Sequence, residues 1–124
     1  MTPGEKYCEL VNTLYKKTME KKIEWNFEEG FGTWVRLADR LIVLEDGRNE
    51  NGEPTEFISI RNRPDEVIDS FSDETLTIYE APFEDLTNYW RVMQKLRTTA
   101  TRQAIGADTA IDAILAELND DVPF

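Results

Sequence analysis

The sequence predicts an α+β domain: an N-terminal helix, an antiparallel meander of four or five strands, and two C-terminal helices packed on one sheet face. Three observations lead there. Helical periodicity covers residues 5–23 and returns beyond Pro82, apolar residues alternate in short runs between those stretches, and the runs are joined by connections too short for parallel crossovers. With 124 residues, 40% of them apolar, the chain fills one core and reads as a single domain over 1–124, of which 119–124 form a flexible tail.

In the first helix Tyr7, Leu10, Val11, Leu14 and Thr18 share one stripe, and Pro3 and Gly4 precede it as start signals. Cys8 sits on the flank of that stripe as a small, partly buried side chain. Ile23, Trp25 and Phe27 then alternate until Gly30 and Gly32 interrupt the pattern. Residues 34–37 and 40–44 are expected strands, with Ala38 and Asp39 as a tight turn between them. The stretch 46–54 holds two glycines, two asparagines and a proline, and is read as an exposed loop. Strands are expected at 55–62, 67–71 and 76–79, with a proline turn at 63–66. After Pro82, a second helical stripe joins Leu86, Tyr89, Trp90, Met93, Leu96 and Ala100, with Glu84 and Asp85 in the first turn. Gly106 is expected to end or bend it. Asp108 would cap a last helix carrying Ile111, Ile114, Leu115 and Leu118.

Composition narrows the chemistry. The chain has no histidine, which removes His-based triads, His general bases and His-containing zinc motifs. Its one cysteine makes neither a disulfide within the chain nor a thiolate metal site, and favours a cytoplasmic setting. No glycine-rich nucleotide motif follows a strand, and Gly30 and Gly32 read as a turn. No apolar run nears the roughly 18 residues of a membrane span, and the first residues lack a secretory pattern. In the loop beginning at Gly47, Asn49, Asn51 and Gly52 match EF-hand positions. Gly47 and Ile58, however, occupy the places of its strongest ligands. No catalytic, cofactor or metal residue is therefore assigned.

Charge is unevenly distributed. The formal net charge of −11 works against direct nucleic-acid binding. Sixteen acids and five bases lie within 28–85, whereas 86–102 holds four bases and no acid. At about 100° per residue, Arg91, Lys95 and Arg102 fall on one narrow helix face and Arg97 points elsewhere. That face either pairs with the acidic loops and the acidic last helix or meets an acidic partner. Trp25 and Trp34 either fill the core or, if exposed, anchor an interface.

The expectation that follows is a small noncatalytic protein-interaction or regulatory domain acting through charged surfaces on a protein partner, with a homodimer through an edge strand as one form. One rival is a small hydrolase or metal-assisted enzyme, were Asp65, Glu66, Asp69, Asp73 or Glu74 to meet Glu80 or Glu84 in a cleft. The other is an acidic nucleic-acid mimic that binds a basic protein.

Overall fold

The computed structural model describes residues 1–120. Its first helix, α1 (Pro3–Met19), starts where side chains satisfy the free amides. The Thr2 hydroxyl accepts the Glu5 amide at 3.2 Å and the Glu5 carboxylate accepts the Thr2 amide at 2.9 Å. The helix stops short of residue 23 because Lys21 takes a left-handed conformation, φ 58°. Five strands follow: β1 (Asn26–Glu28), β2 (Gly32–Leu37), β3 (Arg40–Arg48), β4 (Pro54–Arg63) and β5 (Glu66–Ser72). They form one sheet in sequence order, each antiparallel to its neighbour. Then come α2 (Tyr89–Ile105) and α3 (Ala107–Asp120). The architecture is α+β, as the periodicities indicate.

Register determines which side chains meet the helices. Thr33 pairs with Leu44, Leu44 with Ile58 and Ile58 with Phe71, while Val35 pairs with Ile42. These six residues therefore share a face, and all are buried. Cys8, Val11 and Leu14 from α1 and Tyr89, Val92, Met93, Leu96 and Ala100 from α2 complete the core against it. Polar groups tie the layers together. Trp25 Nε1 donates to Thr18 Oγ1 at 2.9 Å, Gln103 Nε2 to the Thr18 carbonyl at 3.0 Å, and the Tyr89 hydroxyl to Asn12 Oδ1 at 3.0 Å. Tyr7 stacks on Phe71 with ring centroids 4.2 Å apart. On the opposite sheet face, Arg61 binds Glu45 at 2.8 Å and lies 5.2 Å from the Phe31 ring centroid.

Several expectations change. Residues 76–79 are not a strand: the Ser72 amide donates to Thr75 Oγ1, and Asp73–Leu76 closes into a single 3-10 turn that buries Leu76. The loop expected over 46–54 is shorter, because β3 continues to Arg48 and β4 begins at Pro54. Asn49 Oδ1 closes it by accepting the Asn51 and Glu53 amides, each at 2.9 Å. Glu84 and Asp85 precede α2, whose N-cap is Asn88. Gly106, with φ 71° and ψ 33°, ends α2 and leads directly into α3, so Asp108 lies inside the first turn of α3. Of the expected tail, Asn119 and Asp120 close α3, and residues 121–124 lie outside the described residues.

Candidate functional site

On α2 the buried stripe, Tyr89, Val92, Met93, Leu96 and Ala100, faces the sheet and α1. Arg91, Lys95 and Arg102 project from the other side, and all three are exposed. Arg102 meets Asp108 of α3 at 2.6 Å. Arg91 and Lys95 form no ion pair among the described residues.

The base that does pair with the acidic sheet is Arg97, set apart from the others by its helical phase. Its Nε donates to Glu56 Oε1 at 2.7 Å and its NH2 to Glu56 Oε2 at 3.1 Å, with Asp46 Oδ2 at 3.8 Å from the guanidinium. Glu56 is 3% exposed, and its amide donates to Asp73 Oδ1 at 2.8 Å. Burial pushes the Glu56 carboxyl above its ordinary value despite Arg97, and burial likewise raises Asp73. Glu56 holds Arg97 through both oxygens, and Asp73 holds the Glu56 backbone, so the two carboxylates clamp α2 to the sheet. A signal for this existed in the sequence. Glu56 alternates with Ile58 and Ile60, which puts an acid on the inward face of a strand, where it needs a cation.

Three of the other singled-out acids have partners of their own. Glu66 binds Arg63 at 2.6 Å, Asp69 accepts the Tyr7 hydroxyl at 2.8 Å, and Glu74 accepts Asn49 Nδ2 at 3.2 Å. Among the described residues no three His, Cys, Asp or Glu side chains gather as a metal-binding group. Trp25 is core. Trp34 is half-buried and pairs with Val43, on the sheet face away from the helices.

The feature missed at the level of sequence is the setting of α3. The helix contributes no buried residue, and its main contact is with α2. Ile111, Ile114, Leu115 and Leu118 are 46%, 56%, 50% and 59% exposed, and together they form one stripe. Asp108, Asp112, Glu117 and Asp120 are the charges of α3, which carries no base. Ile105, just before the junction, is exposed as well. A groove of about 520 Å³ runs beside α2, lined by Leu86, Trp90, Arg91, Gln94, Lys95 and Thr98. The Trp90 indole Nε1 is buried and meets no acceptor among the described residues. A second hollow, about 480 Å³, lies at the α2–α3 junction, where Trp25, Arg102 and Asp108 contribute to its wall.

No helix among the described residues is long and apolar enough to cross a membrane. Set against protein-family models, curated proteins and solved structures, the chain matches none of the three.

Proposed function

We propose that this chain is a noncatalytic protein-interaction domain whose docking element is α3. The observation that carries the reading is the Ile111, Ile114, Leu115 and Leu118 stripe, each about half exposed, on a helix with no buried residue. Isolated helices of this length are marginal in water, and helices in proteins are stabilised mainly by packing an apolar face. A contiguous exposed apolar patch rimmed by polar residues is the usual mark of an interaction site. Helix-in-groove recognition uses such a stripe, read at three- and four-residue spacing. The charges around it, acidic on α3 and basic on α2, would select the partner more than they strengthen its binding. A cytoplasmic setting belongs to the proposal, supported by a single buried thiol.

Site-specific photo-crosslinking in the source cell tests it. A photoreactive amino acid at Leu115 is expected to cross-link to protein in high yield, and the same probe at Ala113, on the far side of α3, in low yield. Equal yields at the two positions would remove α3 as the docking element.

A further inference from the structure

We infer that the occupant of the α3 stripe is the α2 surface of a second copy of this chain, in a symmetric pair where each α3 lies along the other copy's α2. The inference rests on the reading of α3 as a docking element and names its partner. Charge favours this pairing. Apart from Asp108 and Arg102, which pair with each other within the chain, α3 carries the acids Asp112, Glu117 and Asp120 and the outward face of α2 carries Arg91 and Lys95. Two α3 helices laid against each other would bring acids to acids. α3 against α2 brings acids to bases, and Arg91 and Lys95 have no ion-pair partner among the described residues of their own chain.

Shape and apolar content favour the same pairing. The groove beside α2 is walled by Leu86 and Trp90 on one flank and by Arg91 and Lys95 on the other. Trp90 is only half-buried there, and aromatic residues are favoured as interface anchors. An apolar stripe edged with carboxylates fits a groove with that order of chemistry.

Area favours it as well. The α3 stripe together with Ile105 offers on the order of 400 Å² of exposed apolar side chain and covers a similar area of whatever it meets. A single contact then buries on the order of 800 Å², the scale of a crystal-packing contact. A two-fold pair makes that contact twice and reaches on the order of 1,600 Å², the ordinary size of a specific interface.

Sedimentation equilibrium on the purified full chain, from about 1 to about 100 μM, decides the matter. The expected result is a dimer whose dissociation constant rises with added salt. Leu115→Glu should weaken it at least about 30-fold, which is the loss expected from burying an unpaired charge in an interface. Because Leu115 is exposed, circular dichroism of that variant should match the parent, and the two Tm values should converge at concentrations low enough for the parent to dissociate. Charge reversal provides an independent test. A chain carrying R91E and K95E and a chain carrying D112K and E117K should each be mainly monomeric, and mixing the two should restore a dimer. A parent chain that stays monomeric at about 100 μM overturns the inference. So does a dimer that L115E abolishes but the four charge reversals leave intact, since that result places α3 on α3. If the chain is monomeric while the Leu115 photo-probe captures a different protein, the second-copy assignment fails and the docking role of α3 stands.

Discussion

Glu56 and Arg97 illustrate how a single inward-facing charge organises its surroundings. Removing one member leaves the other desolvated and unpaired, so Glu56→Ala is expected to cost about 3 kcal/mol in urea unfolding. The double replacement Glu56→Leu with Arg97→Met should recover most of that loss, because two apolar side chains require no partner. Thr18 is the second such point, since its hydroxyl is the acceptor for the buried Trp25 indole N–H. Thr18→Val keeps the shape and orphans that donor, at an expected cost of about 1–3 kcal/mol. At this scale the sequence was legible in part. The phase of Arg91, Lys95 and Arg102 read correctly from helical geometry. Pairing with the acidic last helix holds for Arg102, through Asp108, and Arg91 and Lys95 have no ion pair among the described residues, because pairing depends on which acids come within reach of each position. Arg97, set aside by its phase, became the structural cation because that phase tilts it toward the acidic end of the sheet.

Among the elements, those governed by local chemistry were the most legible. Ala38 and Asp39 both sit at positive φ, 52° and 60°, as a two-residue hairpin between Leu37 and Arg40 requires. Neither is the best residue for that backbone, so A38N with D39G is expected to stabilise the domain by about 1 kcal/mol in thermal unfolding. Gly106 is suited to its place at φ 71°. Gly106→Ala should cost about 1 kcal/mol and disturb the α2–α3 junction. Where alternation alone was the guide, the reading failed: Leu76 and Ile78 looked like one strand face, yet Leu76 is buried and Ile78 is 85% exposed beyond a turn. Side-chain capping by Thr75 and the pull of Asp73 toward Glu56 outweigh a two-residue pattern there. The periodicity of α3 was legible and its destination was not, since an apolar stripe does not specify whether its cover comes from its own chain. Because α3 buries nothing within its own chain, a chain ending at Gly106 should retain the Tm of the monomeric Leu115→Glu variant to within about 2 °C by calorimetry.

For the molecule as a whole, electrostatics gives stability an uncommon pH dependence. Glu56 and Asp73 have carboxyl groups raised above the ordinary 4.5 and 3.8 by burial. Between those values and the raised ones, the folded chain holds protons that the unfolded chain has released. Their contribution therefore falls as pH rises through that window and is regained on acidification. Glu5 and Glu66 are shifted the other way by their hydrogen bonds, so what they contribute is lost as pH falls below 4.5. Tm is thus expected to rise as pH falls toward the ordinary 4.5 of Glu56 and to fall again below it as Glu5 and Glu66 take up protons. Relief of the −11 net charge acts in the same direction on the first limb. High salt screens that repulsion, and under it Glu56→Gln should flatten what remains of the rise. The Thr18–Gln103 and Glu56–Arg97 contacts have a consequence for how the chain is made. Every strand pairs with its sequence neighbour, so hairpins can close while the polypeptide is still emerging from the ribosome. The contacts that seal the core join residues 85 and 41 positions apart and wait for α2. Until the stretch ending at Ile105 is free, the nascent meander holds Val35, Ile42, Leu44 and Ile58 without the α2 half of their cover. Emergence of α2, not strand pairing, is the event that hides them from chaperones.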